Sequence, residues 1–161
     1  MEKIALFELS ATALKLTLGA MVENEYFYIY KEYSEFIQIN EHIEADGLIK
    51  TSKIKECIAL LQIYKKICEA EGVTRVNCVV AASLSAAKNY SSFLDEANNT
   101  CGLEFKLLTE AEEVSAVYTG AINTLDVPKG VIINISIPLP RKKVVDFRET
   151  LFYTMSVFCT Y

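Results

Sequence analysis

IALFELSATALKLTLGAMVENEYFYIY, residues 4–30, holds three apolar or alternating runs with almost nothing between them. Residues 4–9, 14–21 and 25–30 each have the length and alternation of a strand. The first two are separated by the small residues Ser10, Ala11, Thr12 and Ala13, and the second and third by the polar pair Glu23 and Asn24. Parallel neighbours need a crossover of about a dozen residues or more. These gaps are far too short for one, so the three runs read as an antiparallel meander.

Outward from the meander the pattern changes. Residues 31–50 are polar and irregular and end near Asp46 and Gly47, and Thr51 stands where a helix N-cap belongs. Ile54, Ile58, Leu61 and Cys68 then share one helical face, broadened by Cys57, Leu60, Tyr64 and Ile67, until Gly72 closes the segment. Residues 75–81, with Val76, Val79 and Val80, read as a buried strand, 90–99 as a helix and 104–108 as a further strand. Thr109, Glu110, Ala111 and Glu112 match a capping box, which starts a helix running to about Gly120. Residues 123–129 read as a connector, and 130–135, 143–147 and 150–158 as strands. Three antiparallel strands followed by alternating helices and strands give an α/β class, a ribonuclease H-like mixed sheet. Right-handed crossovers place the fourth and fifth strands parallel to the first.

The composition is 52% hydrophobic and 23% charged, with six Gly and three Pro, which suits a folded domain and not a disordered one. A net charge of −5 excludes general electrostatic attraction to nucleic acid or an anionic membrane. The five cysteines form no CxxC pair, and the single histidine, His42, has no Ser, Cys or Asp arranged around it. Buried reduced thiols and a loop histidine are expected, with neither a zinc site nor a hydrolase triad. There is no leader-like start and no run of ~18 apolar residues. A cytoplasmic location is the expectation.

Several segments in order resemble the exopolyphosphatase / guanosine pentaphosphate phosphatase (Ppx/GppA) family, a branch of the superfamily of sugar kinases, actin and the heat-shock chaperone ATPases. They are Gly47-Leu48-Ile49 before the long helix, Ala87-Lys88-Asn89 with Phe93, Cys101-Gly102-Leu103, and Glu112-Glu113 leading to Tyr118-Thr119-Gly120. The resemblance implies a lobe over 1–124 and, over 129–161, the incomplete start of a second lobe. It also implies a substrate, polyphosphate or guanosine pentaphosphate, held between lobes and cleaved at a terminal phosphoanhydride with Mg²⁺.

Carried onto this sequence, the family's first phosphate turn falls on Glu8 to Ala13. Where the family has Gly and hydroxyl residues, this chain has Ser10, Ala11, Thr12 and Ala13; Ser10 and Thr12 keep hydroxyls for phosphate contact. Glu8 stands at the family's metal-binding acid and is equally readable as a strand-end acid. Lys15 and Lys88 offer point charges, or are solvated surface lysines, while Ser85 replaces the family's phosphate-clamping Arg. Glu113 aligns with the catalytic Glu that orients or deprotonates water. On a helix it shares a face with Ala116, Val117 and Gly120, and it could equally be a first-turn acid facing the helix dipole. Glu110 stands where the family has Gly. After residues 130–133 the family's second phosphate loop is replaced by Asn134 to Pro140, in which Pro138 and Pro140 have no N–H to offer; Asn134 keeps an oxygen for metal.

The implied function is a Ppx/GppA-type phosphoanhydride hydrolase lobe, weak or inactive in this chain. The alternative is a non-catalytic lobe kept for assembly or ligand sensing. A sugar or acetate kinase lobe ranks behind both, because no glycine-rich nucleotide loop is present. Exposed apolar strands after residue 130 would need covering, so a homo-oligomer is expected.

Overall fold

The meander forms as the spacing requires. The computed structural model describes residues 2–22, 26–124, 131–134 and 156–159. In it β1 (Glu2–Leu9), β2 (Ala13–Val22) and β3 (Tyr26–Phe36) pair antiparallel, Leu9 opposite Leu14 and Ala13 opposite Phe36. β3 runs six residues beyond the expected end. The added residues include Lys31, Glu32 and Glu35, all exposed, because β3 is an edge strand whose side chains need little burial. The polar segment beyond it contains a 3-10 turn, Ile39–His42, so His42 sits half-buried on that turn rather than in an open loop.

α1 (Thr51–Glu71) starts one residue earlier in register than a Thr51 cap implies. Lys50 takes the cap position and no side chain caps the end. At the other end Gly72 adopts the left-handed conformation, φ 69°, and its N–H reaches the carbonyls of Cys68 and Glu69. α1 carries the chain back so that β4 (Arg75–Val80) lies parallel to β1, Ile4 opposite Arg75 and Leu9 opposite Val80. α2 (Tyr90–Cys101) then leads to β5 (Phe105–Leu107), parallel to β4, and α3 (Glu110–Thr124) follows. The sheet order is β3-β2-β1-β4-β5. β6 (Val131–Asn134) and β7 (Ser156–Cys159) form a separate antiparallel pair. The strand expected at 143–147, and residues 150–155 of the last one, lie outside the described residues.

One sheet face builds the core. Ala5, Phe7 and Leu9 of β1 lie beside Leu18, Leu16 and Leu14 of β2, all essentially inaccessible, and the same cluster includes Cys57, Leu61 and Tyr64 of α1 and Phe93 and Ala97 of α2. Cys57, Cys68, Cys78 and Cys101 are free and buried. Burial pushes the thiols of Cys57 and Cys78 up to about 12 and that of Cys68 to about 11, so all three stay protonated and unreactive at neutral pH. Lys53 is also buried, its ammonium 2.8 Å from Glu56. Among the described residues no helix is long and apolar enough to cross a membrane.

Two of the segments that carry the family resemblance meet in space. Asn89 donates from Nδ2 to the carbonyl of Ile49 (3.1 Å) and accepts the Ile49 N–H at Oδ1 (2.8 Å), as a strand neighbour would. Lys88 N–H adds a bond to the Gly47 carbonyl, and the Lys88 methylenes lie against Gly47, whose φ of 86° suits glycine. Asn89 thus fastens the chain entering α1 to the chain entering α2. Ile49 is only 2% exposed, so removing Asn89 leaves two buried backbone groups unpaired. Asn89→Ala is expected to cost about 2–6 kcal/mol, at roughly 1–3 kcal/mol per orphaned group. Asn89→Asp, which keeps only the acceptor, should fall between; urea midpoints of the three proteins check this.

Candidate active site

β1 and β4 are parallel, so their carboxyl ends lie side by side, and in open α/β sheets that is where ligands collect. The two ends are joined by the Ala81 N–H, which donates to the Leu9 carbonyl at 2.8 Å. Beyond Leu9 the chain makes the 10–13 turn, and beyond Ala81 it makes a short 3-10 turn, Ala82–Ala86. Glu113, on the first turn of α3, reaches this same end. Its Oε1 accepts the Ala82 N–H at 3.0 Å.

The environment of Glu113 raises its carboxyl pKa above the ordinary value. Desolvation is the largest cause, the nearby Glu110 carboxylate adds to it, and the bond from Ala82 opposes both. The desolvation does not come from the helix face expected to supply it, since Ala116, Val117 and Gly120 are exposed. The contact its carboxylate makes is instead with the sheet end, at the Ala82 N–H. The neighbouring acid behaves in the opposite way. Glu112 closes the capping box, accepting the Thr109 N–H at 2.9 Å while Thr109 Oγ1 accepts the Glu112 N–H at 3.2 Å, and it pairs with Lys106 at 2.6 Å. Lys106 and the Thr109 donors hold the Glu112 carboxyl down at about 2. Adjacent glutamates therefore do different work, one securing the helix start to β5 and the other facing the sheet end.

The 10–13 turn is closed by its own side chain. Ser10 Oγ accepts the N–H groups of Thr12 (3.3 Å) and Ala13 (3.0 Å) and donates to the Ala13 carbonyl (3.0 Å). The Ser10 N–H bonds the same carbonyl at 2.9 Å, and Thr12 Oγ1 lies 3.5 Å from Ser10 Oγ. Two backbone donors of the turn that a phosphate oxygen could take, those of Thr12 and Ala13, are thus already held by a hydroxyl.

The other candidates fall at varying distances in the fold. Glu8 and Lys15 are cross-strand partners on the sheet face opposite the core, next to the turn. Ser85 stands on the 3-10 turn that receives Glu113 and donates from Oγ to the Ala82 carbonyl at 2.8 Å. Lys88 follows the Ala82–Ala86 turn by two residues and is exposed, with its stem on Gly47. Asn134 ends β6, opposite Ser156, in the separate two-stranded sheet. Ser10, Thr12, Glu8, Lys15, Ser85 and Glu113 therefore all lie at the carboxyl end of the sheet. The residue that sequence reasoning missed is Ala82, whose contribution is a backbone N–H. Its only trace in the sequence is that small residues, Ala81, Ala82 and Ser83, follow a buried strand. Among the described residues no three His, Cys, Asp or Glu side chains gather in a way that could hold a metal ion.

A family model described as the Ppx/GppA phosphatase family matches residues 20–137. Among solved structures, the type II variant of the Aquifex aeolicus Ppx/GppA phosphatase is similar, with a TM-score of 0.74 and 21% identity over 84% of this chain and 44% of that one. An exopolyphosphatase from Cytophaga hutchinsonii matches with a TM-score of 0.76 and 11% identity, over 85% of this chain and 44% of that one. At these identities the likeness is one of fold. The chain spans less than half the length of either protein. No curated protein matches it.

The raised pKa of Glu113 has a consequence for stability. A carboxyl that binds its proton more tightly when folded adds stability that is fully present below the unfolded value, near 4.5, and is lost as pH rises through the raised folded value. Glu113→Gln keeps an oxygen for the Ala82 N–H and does not titrate. Urea titrations from pH 4 to pH 8 should therefore show the stability difference moving in favour of Glu113→Gln as pH rises above 4.5.

Proposed function

The chain belongs to the Ppx/GppA phosphatase family, and from that premise we propose that it is a phosphoanhydride hydrolase lobe, acting on polyphosphate or guanosine pentaphosphate, with weak activity of its own. The observation that carries this reading is the Glu113 carboxylate, half-buried and bonded to the Ala82 N–H at the carboxyl end of the parallel strands. A base needs a carboxylate held in place and a pKa moved up toward the working pH, and Glu113 has both. Its second oxygen is the one available to take a proton from, or align, a water approaching a terminal phosphorus.

The same geometry accounts for weak activity. Phosphoryl transfer depends on positioning and on charge placed against the phosphate oxygens. Ser10 occupies the Thr12 and Ala13 N–H groups, and Ser85, with its hydroxyl on Ala82, offers no cation. Lys15 is the cation nearest along the chain to the turn, and its cross-strand partner is an acid, Glu8. Magnesium in phosphate chemistry is held by one or two carboxylates together with the substrate's phosphates. Glu8, half-buried beside the turn, meets the lower limit of that set and is the residue that would hold the ion, which when bound spreads the phosphate's charge. The 1–124 lobe carries this end of the sheet, and 129–161 begins a second lobe. The alternative of a non-catalytic lobe retained for assembly or ligand sensing is favoured by the self-closed turn alone.

Hydrolysis of polyphosphate and of guanosine pentaphosphate with Mg²⁺, comparing wild type with Glu113→Gln, separates the two readings. Slow turnover abolished by the substitution supports the hydrolase; no turnover above a buffer blank leaves the non-catalytic lobe. A second measurement tests the cause of weakness. Ser10→Gly with Ser85→Arg frees the turn donors and adds a guanidinium, and should tighten tripolyphosphate binding in calorimetry by about tenfold or more, since one bond to a charged group is worth roughly 1.5–3 kcal/mol.

A further inference from the structure

β3 is the outer strand of the five-stranded sheet, and among the described residues nothing pairs with its outer edge. Four of the large apolar side chains that lie open to solvent are on it: Phe27, Tyr28, Ile29 and, at 80% exposure, Phe36. Edge strands of soluble proteins are usually short, bulged or charged, because an open row of N–H and C=O groups is a template for another strand. β3 has a bulge: Leu18 faces Lys31 and Gly19 faces Ile29, so Tyr30 has no partner. The bulge protects the first part of the strand and leaves residues 31–36 regular.

The hydrogen-bond phase of this regular part can be read from its end. The Ile37 N–H donates to the Thr12 carbonyl one step beyond the ladder. Bonded and non-bonded positions alternate in an antiparallel pair, so Lys31, Tyr33 and Glu35 turn their backbone groups toward β2. Glu32, Ser34 and Phe36 turn theirs outward.

A second copy of the chain could add here only in certain registers. A two-fold axis perpendicular to the sheet keeps every side chain on its own face, so one residue must face itself across the axis. With Lys31 or Glu32 at the axis, like charges stand directly opposite, which is unfavourable. With Ser34 there, no opposite charges meet. With Tyr33 at the axis, Lys31 lies opposite Glu35 of the second copy, twice, and Glu32 and Ser34 exchange about four main-chain hydrogen bonds. Within one chain Lys31 pairs with Glu71 at 3.2 Å and lies over the Tyr33 ring, 5.3 Å from its centroid, with half its side chain exposed, so its ammonium can also reach a second acid. We propose that residues 31–36 of β3 form a homodimer interface, two copies adding edge to edge about Tyr33 into a continuous ten-stranded sheet. This surface lies on the opposite side of the sheet order from β5 and does not depend on the hydrolase reading.

Light scattering of the full chain over a dilution series tests it. Wild type is expected at twice the chain mass when concentrated and at the chain mass when dilute. Ser34→Pro removes an outward donor and no inward one, and should stay at the chain mass throughout, with an unchanged circular dichroism spectrum and, at the dilution where wild type is monomeric, an unchanged urea midpoint. Lys31→Glu and Glu35→Lys each set like charges opposite one another and should weaken the dimer about tenfold or more, whereas an equal mixture of the two restores both opposite-charge pairs and should dimerise. A wild type at the chain mass throughout overturns the proposal. So do folded Ser34→Pro and Glu35→Lys proteins that dimerise like wild type, which would move the interface to another surface, and so does a mixture that stays monomeric.

Discussion

The parallel pairing of β1 with β4 is the contact on which the other features depend. Among the described residues β1 is the one strand with an antiparallel neighbour on one side and a parallel neighbour on the other. The antiparallel side needs only a four-residue turn. The parallel side needs the chain to travel back across the sheet, and α1 makes that return over the apolar face formed by Phe7, Leu9, Leu14 and Leu16. Once Leu9 and Val80 are side by side, the 10–13 turn and the Ala82–Ala86 turn must emerge together, with the Ala81 N–H on the Leu9 carbonyl linking them. The candidate site is a consequence of that pairing rather than a separate construction.

α3 completes the arrangement from a different direction. Its start is set by the Thr109 and Glu112 capping box and by Lys106 on β5, contacts that are local and exposed. Fixing Glu112 fixes the rotation of the first turn, and the next residue, Glu113, then meets the sheet end. Surface ion pairs contribute little to stability. Here the pair's effect is one of orientation, because the helix start determines which glutamate faces Ala82.

The order of strands and helices was legible because each rested on a local signal: short gaps for the meander, Gly72 and the capping box for helix ends, and apolar periodicity for α1. What was not legible was set by tertiary position. Residues 31–36 look irregular by hydrophobic pattern, but at a sheet edge a strand can be charged along both faces. Thr51 looks like a cap, yet the Lys50 N–H bonds the His42 carbonyl and Asn89 holds Ile49, so the incoming chain is positioned before Thr51 and no hydroxyl is needed there. In the site, Glu113 was found through the family pattern, while Ala82 escaped notice because an alanine contributes only its backbone. The packing of the Lys88 methylenes on Gly47 left no mark in the sequence.

The hydrogen bonds accepted by Ser10 and Glu113 have a common physical content. Backbone N–H groups at the carboxyl end of the sheet must have acceptors. In a phosphate-binding turn built from glycine, the ligand can be that acceptor. In this chain Ser10 Oγ takes the N–H groups of Thr12 and Ala13, and the Glu113 carboxylate takes that of Ala82. Each donor is satisfied in the absence of ligand, so an arriving phosphate must displace an internal oxygen instead of filling a need, and its net gain shrinks to the difference between two hydrogen bonds. That difference is about 1 kcal/mol or less for neutral partners and larger only where the newcomer is charged. A polyanion is the class of ligand with charge enough to win such an exchange.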